Sequence, residues 1–388
     1  MNQALAVQSG KPMITKEFPK WPIWNDEEIN RVEQAVRSGV WGVEGPLLTE
    51  YANRFADLQH AKYALPVCNG SIAIDLALEV LDLRAGDEVL VPDYTFMATA
   101  VAPIRRGMKP VLVDVDRNTF NIDPECIINA ITNRTRAIIP VHFGGLPCDM
   151  EAIMTIAERY GLLVIEDCAH AHGAHLNGQY VGNWGSVGTF SHQSSKTLCA
   201  GEGGTVVTNS TRLFTLMKSI YNAGRHGCEV DYNHYRCGTN YRMTELQAGL
   251  LLAQLDRFEA LAEKRERGGA LLNNLLSEIN GVRPQVRTAN LGRHGYYLFT
   301  FILEDDIDRD SFKNTLRAEG VPVEDEYPAL HSLECLKKKD VTRGHFPVSQ
   351  MLEDRSVWIS HNALLANEDQ ITLIADAVRK VINHKNVL

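Results

Sequence analysis

The stretch that decides the fold runs from Gly161 to Gly204 and reads GLLVIEDCAHAHGAHLNGQYVGNWGSVGTFSHQSSKTLCAGEGG. Four consecutive apolar residues, 162–165, come first, and Glu166 and Asp167 follow them directly. A short apolar run bounded by glycine and acids predicts a buried strand of a parallel sheet. Acids at the carboxyl end of such a strand lie where open α/β sheets bind their ligands.

A second short strand, predicted over residues 187–190, leads into the polar segment 191–196. Small polar residues surround one lysine there, Lys196, and the glycine-rich segment 201–204 follows. A lysine amine forms a Schiff base with an aldehyde cofactor. Lys196 is therefore a candidate catalytic amine.

Pyridoxal phosphate needs more than an amine. An acid pairs with its pyridinium nitrogen, and hydroxyl and backbone N–H groups hold its phosphate. Asp167 is the candidate acid, and Ser191 and Gln193 are candidate phosphate ligands. Taken singly, an aspartate after a strand is often a helix cap, and a lone lysine in a polar loop is usually solvated. Their combination with Lys196 favours a cofactor site.

Three segments resemble the DegT/DnrJ/StrS family of sugar aminotransferases, which use pyridoxal phosphate and have the aspartate aminotransferase (type I) fold. They are EDCAHAHGA (166–174), GTFSHQSSKTLCAGEGG (188–204) and GTNYRMTELQAG (238–249). The resemblance extends from about Trp21 to the end of the chain. One departure is His192, which stands where the family usually has an aromatic residue, most often phenylalanine. We expect that change to adjust packing under the phosphate loop rather than abolish activity.

The resemblance assigns further cofactor contacts. Gly70 and Ser71 stand at a predicted strand-to-helix turn, where free N–H groups attract anions. The family usually has Gly-Thr at this position, holding the cofactor phosphate; a plain N-cap serine is the alternative. Phe96, otherwise a core aromatic, is expected to stack on the pyridine ring, with Ala169 on the opposite face. His170, next to Ala169, is included in the cofactor-binding set.

Substrate and subunit contacts are predicted outside that core. The loop 223–240 has an ordinary solvated loop as its simplest interpretation, but the resemblance implies that Asn240 reaches the cofactor phosphate of a neighbouring subunit. The active form would then be a homodimer with shared active sites. Arg225, Tyr327 and His331 are predicted substrate contacts, the last two because YPALH resembles the family's Y-x-x-L-H segment.

Composition excludes several classes of protein. The 388 residues are 45% hydrophobic and 22% charged, typical of a soluble globular protein, and the net charge of −9 argues against nucleic-acid binding. The eight cysteines include no C-x-x-C pair and no Cys/His cluster of metal spacing, so we expect reduced thiols, a cytoplasmic protein and no metal site. Neither a signal peptide nor a transmembrane helix is expected, because both need longer apolar runs.

Alternating strand and helix patterns predict an α/β fold. We expect a large PLP-binding domain with a mostly parallel seven-stranded sheet flanked by helices, plus a smaller C-terminal α+β domain. Residues 1–255 would form the N-terminal arm and the large domain, and residues 256–388 the small one. In detail, we expect an extended or poorly ordered arm over 1–20, an edge hairpin strand at 205–208 and a short strand at 321–324.

The implied reaction is transamination of a nucleotide-linked keto sugar or a keto cyclitol, with L-glutamate or L-glutamine as amino donor. It would follow a ping-pong course through Lys196, with pyridoxal 5'-phosphate as cofactor and pyridoxamine 5'-phosphate as intermediate. One alternative is a sugar dehydratase of the same family, although dehydratases typically have histidine in place of the lysine. Another is a non-catalytic regulatory paralogue. A dinucleotide-binding oxidoreductase is disfavoured, because no G-x-G-x-x-G motif opens a helix after a strand.

Overall fold

The computed structural model describes residues 4–8, 10–43, 45–226, 232–339, 341 and 344–387. The strands are β1 (Tyr63–Val67), β2 (Glu88–Pro92), β3 (Lys109–Val113), β4 (Thr135–Ile138), β5 (Leu163–Asp167), β6 (His175–Leu176), β7 (Gln179–Tyr180), β8 (Val187–Ser191), β9 (Gly204–Thr208), β10 (Val282–Pro284), β11 (Leu291–Arg293), β12 (Leu298–Leu303) and β13 (Ser356–Ser360). The helices are α1 (Asp26–Ser38), α2 (Pro46–Leu58), α3 (Gly70–Val80), α4 (Ala98–Arg105), α5 (Pro124–Ala130), α6 (Met150–Tyr160), α7 (Thr211–Tyr221), α8 (Glu245–Ser277), α9 (Arg309–Ala318), α10 (Glu334–Lys337), α11 (Pro347–Arg355) and α12 (Glu368–Ile382).

The large sheet has seven strands in the order β1-β9-β8-β5-β4-β2-β3. Every pairing is parallel except those of β9, which runs antiparallel to both β8 and β1. The predicted mostly parallel seven-stranded sheet is confirmed. The prediction of an edge strand at 205–208 is wrong, because β1 pairs with the free side of β9 and forms the edge itself.

Helices cover both faces of this sheet, because its strands are apolar on both sides. Val89 and Val91 of β2 point to one face and pack with residues of α3, α4 and α7. Leu90, between them, points to the other face and packs with α5 and α6. Successive strand residues alternate between faces, so a continuous apolar run such as β2 is the pattern of a doubly covered parallel strand.

The C-terminal part is a smaller α+β layer, as predicted. Its antiparallel sheet β10-β12-β13 packs against α9, α12 and the end of α8. The predicted strand at 321–324 is wrong: only Val323 forms a single bridge, to Ile359. Pro322 has no backbone N–H and cannot extend the ladder.

Two connections cross the predicted domain boundary. Helix α8 is continuous through residues 255 and 256, so that boundary falls inside a helix and stays a prediction. The arm, which the prediction groups with the large domain, packs on the C-terminal part. Leu5 and Ile14 are buried in its core, and the buried carboxylate of Glu319 accepts the backbone N–H groups of Ala6 and Met13 at 2.9 and 3.0 Å. These contacts hold the described part of the arm against the C-terminal part, and residues 1–3 and 9 lie outside the described residues.

No helix in the described part of the chain combines the length and the apolarity needed to cross a bilayer.

Candidate active site

The carboxyl ends of the parallel strands meet at one large cavity of about 1140 Å³. Strand β5 ends there at Asp167 and β8 at Ser191, while Gly70 and Phe96 follow β1 and β2. The C-terminal part closes the other side of the cavity. The predicted residues that line it are Gly70, Ser71, Phe96, Asp167, Ala169, His170, Ser191, Gln193, Lys196 and Tyr327. Residues scattered over the sequence are thus brought together as the topology of parallel strands requires.

The amine of Lys196 is the reactive group that stands out. Its Nζ lies 3.9 Å from the ring centroid of Tyr297, and no hydrogen bond or ion pair holds it within the described residues. Burial lowers the pKa of Lys196 to about 7, against the opposing attraction of Asp167. A large share of this amine is therefore neutral near neutral pH, which is the nucleophilic form.

Asp167 provides the negative charge of the cavity and is only 5% exposed. Its Oδ1 accepts the N–H of Ala169 at 3.2 Å, and its Oδ2 accepts the hydroxyl of Thr99 at 2.9 Å. Burial raises the pKa of Asp167, and these two hydrogen bonds oppose the shift. Sequence reasoning missed Thr99, although a hydroxyl three residues after Phe96, in the first turn of a helix, was an available signal.

The start of α3 forms a site for an anion. Asn69 is the N-cap, because its side chain accepts the N–H of Ile72 at 2.9 Å, so Ser71 is not the capping residue. Among the described residues, the N–H groups of Gly70 and Ser71 have no acceptor. A Cβ on Gly70 would lie 2.7 Å from the Cβ of Ser191, so this close approach requires glycine. Free N–H groups, the helix dipole and the two serine hydroxyls together suit a phosphate.

Aromatic rings line the remaining walls. Phe96 is 53% exposed and lies edge-on to Tyr327 at 6.1 Å. The ring of His170 lies 4.3 Å from that of Tyr297, and its Nδ1 accepts the N–H of Gly144 at 3.3 Å. Burial holds the pKa of His170 well below its usual range, so this imidazole is neutral.

Two predicted residues within the cavity wall have distinct surroundings. The side-chain oxygen of Gln193 accepts both the N–H and the hydroxyl of Ser195, at 2.8 and 2.7 Å, so it stabilises its own loop. The hydroxyl of Tyr327 is buried and has no hydrogen-bond partner among the described residues.

Three predicted contacts lie outside the cavity wall formed by this chain. His331 uses both ring nitrogens within the protein, Nδ1 at 2.6 Å from Asp93 and Nε2 at 3.0 Å from Gln350. Arg225 and Asn240 belong to the loop 223–240, of which residues 227–231 are outside the described residues. The substrate role of Arg225 and His331 and the intersubunit role of Asn240 stay predictions.

Sequence reasoning missed the wall that comes from the ends of the chain. Trp21, Tyr297, Trp358 and His361 line the cavity. Trp21 and His361 pack edge to face at 4.6 Å. No motif marked Tyr297, Trp358 or His361, because their proximity to Lys196 depends on how the C-terminal part docks on the large sheet.

A second buried cluster lies behind the cavity. Ligand atoms of His142, Glu166 and Cys168 lie within 4.8 Å of one another. Glu166, however, already accepts three backbone N–H groups of residues 182–185 at 2.8 Å and faces His142 Nε2 at 3.2 Å. The other ring nitrogen of His142 accepts the N–H of Cys148. This hydrogen bonding makes the cluster a structural one.

The residues of the cavity fit pyridoxal phosphate. An unpaired buried amine, a buried carboxylate and a helix N-terminus with free N–H groups converge on one space. These are the three partners that the aldehyde, the ring nitrogen and the phosphate of this cofactor require.

Fold and site together define the class: an enzyme with the architecture of the type I pyridoxal phosphate enzymes. The family model of the DegT/DnrJ/EryC1/StrS aminotransferases matches residues 22–379, and the chain belongs to this family. Aminotransferases of this family depend on pyridoxal phosphate.

Similar proteins come from more than one branch of that family. The chain is 34% identical to the L-glutamine:2-deoxy-scyllo-inosose aminotransferase of Streptoalloteichus tenebrarius, over 99% of both chains. It superposes on 3-amino-5-hydroxybenzoic acid synthase with a TM-score of 0.91 and 33% identity, over 95% of this chain and 99% of that one. The structure of DesV of S. venezuelae, solved in complex with a ketimine intermediate, superposes with a TM-score of 0.84. The two chains are 31% identical, over 91% of this chain and 93% of that one.

Proposed function

We propose that this enzyme transfers an amino group from L-glutamine to the ketone of a six-membered carbocycle, a keto cyclitol, with pyridoxal phosphate as its cofactor. The observation that carries the proposal is the unpaired amine of Lys196, buried in one cavity with Asp167. The choice of substrates is supported by the relatives. One is named for L-glutamine and a cyclitol ketone, and another for an aminated six-membered carbocycle.

Lys196 is proposed to hold the cofactor and then to move the proton. Bound pyridoxal phosphate supplies the electron sink that makes a C–H bond next to nitrogen acidic. The neutral Nζ of Lys196 takes the proton from the Cα of the amino donor and would deliver it to the carbon bonded on the other side of the donor's nitrogen. In the second half-reaction the same amine protonates the former carbonyl carbon of the acceptor. A pKa near 7 suits both directions, because neither form of the amine is scarce.

Asp167 is proposed to keep the ring nitrogen protonated. A cation beside this carboxylate would offset the burial that raises its pKa, since opposite charges favour each other's ionised form. Thr99 orients the carboxylate through its hydroxyl. Gly70, Ser71 and Ser191 are the proposed phosphate ligands.

The C-terminal part is proposed to keep water away from the amine. The ring of Tyr297 covers Lys196, and the hydroxyl of Tyr297 lies 3.0 Å from that of Ser195. Both contacts depend on docking of the C-terminal part onto the large sheet. Exclusion of bulk water sustains the low pKa of the lysine.

A homodimer with shared sites remains part of the proposal. Large apolar side chains near the start of the chain are exposed in the single subunit: Trp24 is 64%, Ile29 53% and Trp41 58% exposed. The exposure of these large apolar side chains supports burial against a second copy. Asn240 is the residue that would cross that interface.

The test is the visible absorption of the purified protein with pyridoxal phosphate, before and after addition of each donor. We expect a yellow protein that loses its colour with L-glutamine and regains it with 2-deoxy-scyllo-inosose. Colour restored only by a nucleotide-linked keto sugar would overturn the choice of acceptor. Loss of colour with L-glutamate but not L-glutamine would overturn the choice of donor. A protein that stays colourless with the cofactor would overturn the proposal as a whole.

Lys196→Ala is expected to lower transamination by at least about a thousandfold, because it removes both the attachment point and the proton carrier. The change in turnover is measured with excess cofactor present. Lys337→Ala, at a half-exposed lysine of α10 far along the chain, is the matched control and should stay near wild type. Near-normal turnover of Lys196→Ala would contradict the mechanism.

Dehydration is the alternative reaction within this family, and it is disfavoured because Lys196 is present where the family's dehydratases typically have histidine. Mass spectrometry of the product separates the two, since transamination exchanges oxygen for nitrogen and dehydration removes water. A non-catalytic paralogue is disfavoured, because one cavity retains Lys196, Asp167 and Ser191.

A further inference from the structure

His192, the residue that departs from the family pattern, occupies a fully buried site directly after β8. Burial lowers its pKa to about 4, so the ring is neutral at physiological pH. Its Nδ1 lies 3.2 Å from the carbonyl oxygen of Leu198. A carbonyl oxygen only accepts, so Nδ1 carries the ring proton and donates it there.

The other ring nitrogen closes a small buried network. Nε2 of His192 lies 2.8 Å from the hydroxyls of Tyr51 and Thr205, which are themselves 2.8 Å apart. Burial raises the pKa of Tyr51, so its phenol keeps its proton and can donate. The network anchors the imidazole to α2 and β9, two elements of the rigid scaffold.

The lysine segment is held by hydrogen bonds on both sides of Lys196. The N–H of Ser194 donates to the carbonyl of Gly201 and the N–H of Ala200 to the carbonyl of His192, both at 2.9 Å. Within the described residues, Lys196 itself makes one hydrogen bond, from its backbone N–H to the carbonyl of Gln193 at 2.8 Å, and its Nζ also lies over the ring of Tyr297. Two other buried histidines hold its neighbours: His361 Nε2 donates to the carbonyl of Ser195 at 3.0 Å, and His172 Nδ1 lies 3.3 Å from the hydroxyl of Thr197. The position of the amine therefore depends on how the adjoining residues are fixed.

We propose that His192 is a positioning residue for Lys196: its hydrogen bond to the Leu198 carbonyl fixes the lysine segment against the sheet and keeps the amine inside the cavity. A phenylalanine would fill the same space but could not donate to that carbonyl. A buried acceptor left without a donor is costly, so the segment would shift toward solvent to satisfy it. The kinetic consequence rests on the proposed function, whereas the geometric one does not.

Three substitutions separate this role from general packing. His192→Phe keeps the ring volume and removes the donor. His192→Asn places its amide nitrogen where Nδ1 stands and keeps the donor. His192→Gln places its amide near Nε2 instead, so it also loses the donor to Leu198 but introduces no apolar ring. It replaces His192→Phe as the test variant if the phenylalanine variant does not fold. Tyr51→Phe removes one network partner and leaves the bond to Leu198 intact.

The first readout needs no cofactor. The pKa of the Lys196 amine is measured in the cofactor-free protein by competitive labelling across pH, followed by peptide mass spectrometry. We expect this pKa to be about 7 in the wild type. We expect the pKa of Lys196 to rise by about one unit or more in His192→Phe and His192→Gln, because a lysine nearer to solvent is easier to protonate. His192→Asn and Tyr51→Phe should match the wild type. The charged and titratable groups facing the amine, Asp167, His170, His172, Tyr297 and His361, are the same in every variant.

The second readout is the rate at which L-glutamine discharges the visible absorption. Loss of the donor should lower this rate at saturation by about tenfold with KM little changed, and His192→Asn should recover most of it. An unchanged Lys196 pKa in His192→Phe and His192→Gln would overturn the proposal. The proposal would also be overturned if His192→Asn and His192→Phe lost the same share of this rate and the loss only followed their melting temperatures. A wild type without transaminase activity would refute the proposed function, while the labelling result would still decide the role of His192.

Discussion

Two adjacent acids on β5 have opposite tasks. Glu166 and Asp167 are both buried, at 0% and 5% exposure, and they point to opposite faces of the sheet, as strand neighbours must. Glu166 accepts four hydrogen bonds and fixes the loop 182–185 and His142 behind the sheet. Asp167 accepts two and faces the cavity of Lys196.

The contrast shows that burial alone does not identify a functional acid. A buried carboxylate whose acceptor sites are filled by the protein belongs to the scaffold, because nothing more can bind to it without breaking a bond. A buried carboxylate that can accept further hydrogen bonds and that faces a cavity is available to bind a ligand. The same criterion separates the amine of Lys196, which has no hydrogen-bond or ion-pair partner among the described residues, from the well-bonded cluster around Glu166.

Asp167→Asn should give the largest effect that distinguishes the two acids. We expect turnover to fall by about 100-fold or more, the scale of losing one charge that acts at the reacting group. Folding should be little affected or slightly favoured, because a buried carboxylate with a raised pKa is replaced by a neutral amide. Steady-state kinetics and a urea titration check both parts. Normal turnover in this variant would end the assignment of Asp167 to the cofactor.

Glu166→Gln should show the reverse pattern. Its amide NH₂ would face backbone N–H groups that now donate to a carboxylate, so the free energy of unfolding should fall by about 2–4 kcal/mol. Turnover per folded molecule should change far less than in Asp167→Asn. Urea denaturation and kinetics at low temperature check the pair. A larger kinetic than stability defect would place Glu166 in the catalytic machinery after all.

The buried amine of Lys196 should make the stability of the cofactor-free protein depend on pH. The folded state releases this proton near pH 7, whereas the unfolded chain keeps it until about 10.5. Between these values the unfolded chain binds more protons, so stability rises with pH, by at most about 1.4 kcal/mol per pH unit. Urea titrations between about pH 7 and about pH 9 measure the gain. Lys196→Met should lack this component, and an equal gain in that variant would assign the effect elsewhere.

Thr99→Val should give the smallest effect, a loss of turnover of about threefold to tenfold. The substitution removes one of the two hydrogen bonds to Asp167, which raises the pKa of that carboxyl further and loosens its orientation. Thr208→Val, at another buried threonine whose hydroxyl bonds a backbone carbonyl, is the matched control for stability. Equal turnover in the two variants would show that Thr99 does not act through Asp167.

The elements of the large sheet were predictable because their information is local. Apolar runs bounded by glycine and acids gave the strands, and strand ends gave the positions of Asp167 and Ser191. The edge assignment of 205–208 failed for a non-local reason: β1, more than a hundred residues earlier in the chain, pairs with β9. The strand at 321–324 failed because Pro322 limits pairing to the single bridge of Val323.

By itself, the sequence determined the α/β fold, the family, and the lysine, acid and candidate phosphate ligands that line one cavity, because these lie in short segments at strand ends. The tertiary structure alone decided which residues cover them. Tyr297 and His361 reach Lys196 only because the C-terminal part docks on the sheet, and the arm joins that part through Glu319. The bonds of His192 to Leu198, Tyr51 and Thr205 are of the same kind, since hydrogen bonds between distant segments have no local signature in the sequence.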